Sequence, residues 1–162
     1  QTKSEKVLAS RRLVLELLLA QAPGAEIIKE MAADLGVYGT RFKPGHPQQR
    51  CILCAQCVRT CREVVGVSAI SMAFRTPKKR VATPFAEQSE ACIGCGSCVF
   101  ICPTGVIEYA EKDGIRTVWG RKFELQPCKV CGNYIAPRAQ LEHWAKITGD
   151  PVESFYVCRD CR

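Results

Sequence analysis

A doubled run of cysteines limits what this chain can become more than any other feature. Cys51-x-x-Cys54-x-x-Cys57-x-x-x-Cys61 is followed by Cys92-x-x-Cys95-x-x-Cys98-x-x-x-Cys102-Pro103, and each cysteine of the second run lies 41 residues after its counterpart. Three thiols two residues apart are poor disulfide partners for one another, but they can wrap one short loop around a multi-iron core. The fourth cysteine, three residues on, begins a helix leading away from its own loop and serves the other loop's cluster. The expected ligand quartets are Cys51, Cys54, Cys57 and Cys102 for one [4Fe–4S] cluster, and Cys92, Cys95, Cys98 and Cys61 for a second. A scaffold of four disulfides is the competing use of eight cysteines, and the close triplets speak against it.

This doubled spacing, ending in Cys-Pro, resembles the bacterial-type ferredoxin module that carries two [4Fe–4S] clusters. The likeness extends to Arg11-Arg12-x-x-Leu15-Glu16-Leu17-Leu18-Leu19, Arg50-Cys51-Ile52, Cys57-Val58-Arg59, Glu63-Val64-x-Gly66-Val67-x-Ala69-Ile70 and Cys102-Pro103-Thr104-Gly105. Over residues 10–110 these are similar to the iron–sulfur segment of complex I-type NADH dehydrogenases, hydrogenases and formate dehydrogenases. The resemblance implies an electron-transfer subunit working with a larger catalytic oxidoreductase subunit. Those families usually hold a further cluster with one His and three Cys ahead of this region. Residues Gln21 to Leu35 contain neither type, so that cluster, and an electron route toward an N-terminal partner, are expected to be absent.

Ten of the twelve cysteines of the 162 residues fall in Cys-x-x-Cys spacings, and Cys61 and Cys102 follow at Cys-x-x-x-Cys, which favours metal binding in a reducing, cytoplasmic setting of anaerobic metabolism over a secreted disulfide scaffold. Gln1 to Arg12 is charged and has no signal-peptide pattern, and no apolar run is long enough to span a bilayer. The formal charge of +7 counts every thiol as neutral. Three tetrathiolate sites of about −2 each would bring it to about +1. The basic side chains then offset buried anions, and no nucleic-acid partner is implied.

Residues 4–22 read as a helix stopped by Pro23-Gly24, apolar on more than one face from Leu13 to Leu19. That stretch either packs on the chain's own domain or docks onto a larger subunit. A second helix is expected from Ala25 to Leu35, then a loop from Val37 to Gln49 in which His46 is an ordinary loop residue. Strands are expected at Ala69–Phe74 and Val81–Phe85. Between them Arg75 to Arg80 forms a basic loop, either solvated or a docking patch for an acidic redox partner. Gly94 and Gly96 flank Cys95 and would let backbone N–H groups approach the cluster sulfurs. Leu53 and Ala55 stand at those positions in the first loop, whose cluster is expected to be the more hydrophobic and of lower potential. Val106–Ala110 and Ile115–Trp119 read as strands joined at Lys112-Asp113-Gly114, and residues 120–127 as a linker.

A third group, Cys128-x-x-Cys131 and Cys158-x-x-Cys161, brackets a helix expected over Arg138–Thr148, with Pro137 at its start and Gly149 at its end. Two such knuckles suit a mononuclear tetrahedral site for zinc or a single iron. A third [4Fe–4S] cluster is the rival. His143, on that helix, reads as a surface residue.

The expected fold is α+β: an N-terminal helical extension (residues 1–49), a ferredoxin-like dicluster core (50–119) and a small C-terminal metal-binding segment with four cysteines (120–162). The expected function is non-catalytic relay of single electrons between a low-potential donor or acceptor and a larger enzyme. A hydrogenase, a formate dehydrogenase, or a molybdenum- or tungsten-pterin enzyme such as an aldehyde oxidoreductase-like or aryl-CoA reductase would suit. No nucleophile–base pair, phosphate loop or paired carboxylates are evident. The alternatives are a zinc-binding protein that contacts nucleic acid or peptide, and a self-sufficient oxidoreductase.

Overall fold

The computed structural model describes residues 2–75 and 78–162. These form two units, residues 1–54 and 55–162. Thr76 and Pro77, in the basic loop expected between Arg75 and Arg80, lie outside the described residues.

The first unit is a helical pair, α1 (Glu5–Gln21) and α2 (Glu26–Ala33). Pro23-Gly24 ends α1 as expected, because proline removes a donor and disfavours helix in the residue before it. The chain then crosses close to a later segment. The Gly24 N–H donates to the Gln49 carbonyl at 2.8 Å, and a Cβ on Gly24 would sit 2.9 Å from the Pro47 carbonyl oxygen. Leu15, Ala32 and Val37 form one small core, and Ala22, Ala25 and Ile28 another, with Leu18, Leu19 and Ile52 against it. Arg12 donates to the carbonyl of Leu35 at 3.0 Å and closes the end of α2. Leu13, Val14 and Leu17 of the apolar stretch remain 40%, 53% and 46% exposed.

The second unit starts with a short helix, α3 (Gln56–Arg59), which runs into a π-turn at Thr60–Val64. A two-stranded sheet follows, β1 (Ser71–Ala73) antiparallel to β2 (Arg80–Ala82). After α4 (Ser97–Phe100) the chain builds a four-stranded antiparallel meander: β3 (Tyr109–Lys112), β4 (Ile115–Val118), β5 (Arg121–Pro127) and β6 (Tyr134–Pro137). It ends in α5 (Arg138–Thr148) and two single 3-10 turns, Val152–Tyr156 and Arg159–Cys161. Pro137 and Gly149 bound α5, Gly149 with φ +80°, where glycine carries no Cβ penalty.

The expected linker at residues 120–127 is strand β5, paired with β4 through Ile115–Glu124 and Val118–Arg121 and with β6 through Leu125–Pro137. Its alternation explains why: Phe123 and Leu125 are buried while Lys122 and Glu124 face outward. The unit's core joins β4 and β5 to the cysteine helices, through Cys57, Cys61, Ala69, Ile70, Ile107, Val118 and Phe123.

Candidate metal centres

The two cysteine runs share one backbone device. Leu53 and Ala55 have φ of 55° and 60°, and their counterparts Gly94 and Gly96 have 69° and 74°. The left-handed turns that expose N–H groups toward the loop are thus made in both runs, with glycine or without it. The glycines also relieve crowding. A Cβ on Gly94 would lie 2.6 Å from the ring of Phe123, and one on Gly96 would lie 3.1 Å from Phe100 and 3.3 Å from Tyr109. Phe123 of the sheet therefore leaves no room for a side chain at Gly94, while one at Gly96 would press on the exposed Phe100 and on Tyr109.

Cys61, Cys92, Cys95 and Cys98 line one small, partly open cavity of about 20 Å³, together with Val65, Val67, Ala69, Ile70, Val118 and Trp119. The π-turn carries Cys61 toward this space. The carbonyl of Cys61 accepts from the N–H groups of Val67 and Ser68, and its Sγ accepts from the N–H of Ala69 at 3.2 Å. Burial pushes the Cys98 thiol up to about 11, and it raises Cys92 despite the Gly94 N–H beside it. An apolar wall that penalises thiolates, yet converges four sulfurs, suits a cationic iron–sulfur core that neutralises them.

Two arginines from the sheet fix this second loop by its carbonyls. Arg121 donates to Ser89, Glu90 and Cys92 at 2.7, 3.0 and 3.1 Å. Arg116, buried, donates to Gly94 at 2.9 Å, to the Gln140 side chain of α5 at 3.3 Å and to Glu111 at 2.6 Å. His143 also departs from the expectation of a surface residue. Its Nε2 donates to the Val65 carbonyl at 2.7 Å, tying α5 to the segment after Cys61.

The residues of the other expected quartet are divided between the units: Cys51 and Cys54 close the first, Cys57 lies in the core of the second and the half-buried Cys102 packs against that core. Burial acts upward on the Cys102 thiol. The Thr104 hydroxyl and the N–H groups of Thr104, Gly105 and Val106 outweigh it, so its pKa is lowered. Cys-Pro-Thr-Gly is thus a local nest for one thiolate.

At the third centre the Sγ atoms of Cys128, Cys131, Cys158 and Cys161 all lie within 4.8 Å of one another, and Cys131 and Cys158 are 3.7 Å apart. Cys128 accepts from the N–H groups of Val130 and Cys158 at 3.4 and 3.3 Å. Donors from Cys131, Cys158 and Val130 lower its pKa to about 6, whereas hydrogen bonding to Cys158 and Cys131 pushes Cys161 up to about 12. Four thiols so close cannot all ionise without a cation among them.

Residues 50–106 match the family model described as the 4Fe-4S dicluster domain. The chain is similar to parts of larger redox proteins. One is an NADH-quinone oxidoreductase subunit of Rhizobium meliloti (strain 1021), 32% identical over 106 residues, which cover 58% of this chain and 12% of that protein. Another is an NADP-reducing hydrogenase subunit of Solidesulfovibrio fructosivorans, 28% identical over 132 residues, 66% of this chain and 23% of that protein. The chain therefore spans less than a quarter of either relative. Its fold resembles that of a chain of an NAD+-reducing [NiFe]-hydrogenase in the H2-reduced state, with a TM-score of 0.53 at 22% identity, covering 85% of this chain and 63% of that one. Among the described residues no helix is long and apolar enough to cross a membrane.

Proposed function

We propose that this chain is an electron relay. In this reading Cys61, Cys92, Cys95 and Cys98 hold one [4Fe–4S] cluster, and Cys51, Cys54, Cys57 and Cys102 hold the other. When bound, each cluster supplies a one-electron couple. The chain's residues insulate it, hold its sulfurs and set its potential. The observation that carries the reading is the convergence of Cys61 on the second triplet in an apolar cavity, the arrangement that crossed ligation needs. All-cysteine ligation leaves no iron open to substrate, so catalysis belongs to a larger partner subunit. A hydrogenase, a formate dehydrogenase, or a molybdenum- or tungsten-pterin enzyme such as an aldehyde oxidoreductase-like or aryl-CoA reductase fits that role. Exposed Leu13, Val14 and Leu17 on α1 offer the apolar face onto which that subunit docks.

The same reading makes the C-terminal centre mononuclear, with zinc or a single iron at Cys128, Cys131, Cys158 and Cys161. A metal–sulfur bond of about 2.3 Å gives a tetrahedral sulfur–sulfur edge of about 3.8 Å, against 3.7 Å between Cys131 and Cys158. A cubane puts each thiolate on a different iron and spreads the sulfurs further. Tetrahedral thiolate coordination does not choose between zinc and iron.

A coulometric reductive titration of the anaerobically purified protein tests the relay. Uptake of two electrons per chain if the C-terminal centre holds zinc, or three if it holds iron, with bleaching of a broad visible absorption and full recovery on reoxidation, is expected. A protein that takes up no electrons would refute the relay. Isolated chain that turns over substrate with an artificial dye would restore the self-sufficient oxidoreductase.

A further inference from the structure

Trp119 occupies a position that backbone preferences disfavour. The β4–β5 turn consists of Trp119 and Gly120, between paired Val118 and Arg121, with φ of 53° and 71°. Two-residue turns with both residues left-handed are type I′ and favour Asn, Asp or Gly. A bulky side chain at positive φ is strained and persists where its surroundings over-determine it. Here the surroundings are the cysteine cavity: the Trp119 side chain forms part of the wall that also contains Cys61, Cys92, Cys95 and Cys98. The indole nitrogen is buried and has no hydrogen-bond partner among the described residues. Buried indole N–H groups usually find a partner. Sulfur can accept that hydrogen, and the Cys98 thiol, in the same wall, is the one the indole side chain meets.

We propose that Trp119 is a potential-setting residue for the second-loop cluster, its indole N–H donating to the sulfur of Cys98 or to an adjoining cluster sulfide. The proposal rests on the relay reading above. The step it affects is uptake of one electron, with no bond made or broken. Reduction adds negative charge to the sulfurs, so a fixed N–H donor stabilises the reduced form more than the oxidised form and raises the potential. The turn strain and the orphaned donor then have one cause: the indole is held where an anionic sulfur will meet it. The expectation that the second-loop cluster has the higher potential acquires a different basis from its glycines, since the left-handed turns are common to both loops.

The test uses the loaded protein purified without air and labelled with 15N-tryptophan. Trp119 and Trp144 are its two tryptophans, and Trp144 packs on Phe155 of the C-terminal segment. Pulsed EPR of the reduced protein is expected to show hyperfine coupling from an indole 15N to one cluster, retained in Trp144→Phe and lost in Trp119→Phe. In Trp119→Phe the equilibrium constant for reducing that cluster should fall about tenfold, which is 59 mV for one electron, while the other cluster is unchanged. Cubanes present without 15N coupling in the unsubstituted protein overturn the proposal, whether or not Trp119→Phe folds. So does a Trp119→Phe variant whose clusters both keep their potentials or shift equally. Absence of iron and sulfide in the unsubstituted protein would instead remove the relay reading, and this inference with it.

Discussion

Gly94→Ala is the substitution whose cost can be worked most directly. Gly94 has φ +69°, and an added Cβ would meet the Phe123 ring at 2.6 Å for Cγ and 2.7 Å for Cδ2. The conformational part is about 1–2 kcal/mol for an L-residue in the left-handed region. The steric part is overpacking, about 1–3 kcal/mol, because Phe123 is buried against the β4–β5 sheet and cannot swing aside. The total is about 2–5 kcal/mol. For a unit of this size each kilocalorie is about 4 °C of melting temperature, so a loss of roughly 8–20 °C is expected. Gly36→Ala is the control. It has φ +72° but open space around its Cβ, so it should show only the conformational part. Anaerobic thermal melts of the loaded protein, read by circular dichroism and cluster absorption, measure both. Combining Gly94→Ala with Phe123→Leu should return about 1–2 kcal/mol as a coupling energy. A Gly94→Ala protein that melts within 2 °C of the parent, or a double variant without coupling, would refute the view that the Phe123 ring dictates glycine in the second loop.

Other consequences are equally direct. Cys61→Ser should abolish the cluster held with Cys92, Cys95 and Cys98 and spare the other, as read by EPR and iron content; damage to the first-loop cluster alone would reverse the ligand sets. Arg116→Met strands the Gly94 carbonyl and the Gln140 side chain and should cost about 2–3 kcal/mol. It should also speed iron loss from the second loop more than from the first, as chelator kinetics would show. At the C-terminal centre, Cys128, lowered to about 6, is anionic at neutral pH, whereas Cys131 and Cys161 are raised and protonated. Metal binding must therefore expel protons from the raised thiols, and affinity should fall as pH falls. Calorimetry in buffers of different ionisation enthalpy tests this, and binding without proton release would contradict it.

Much of the architecture is written in local signals. Pro23-Gly24 marks the end of α1, Pro137 and Gly149 bound α5, and Lys112-Asp113-Gly114 marks the β3–β4 hairpin. Cysteine spacing picks out the quartet of Cys61 with Cys92, Cys95 and Cys98, which the fold brings to one cavity. β5 escaped because its buried Phe123 and Leu125 alternate with charged residues between Gly120 and Pro127, both of which read as loop signals; the period of two was present and outvoted. The residues that support the second loop left no local trace. Arg116, Arg121 and His143 act on carbonyls 22 to 78 positions away in sequence, and no nearby pattern can announce such a partner. Trp119 looked like the last residue of a strand, because a left-handed backbone at a tryptophan is a product of the tertiary setting and not of propensity.

Iron, zinc and acid-labile sulfide should be counted in protein purified anaerobically and still in its native complex. The account predicts about eight irons and eight sulfides per chain in two cubanes, with one further zinc or iron that carries no sulfide. Folded, functional protein holding zinc but no labile sulfide would contradict the relay itself, and about twelve irons with twelve sulfides would contradict the mononuclear third centre.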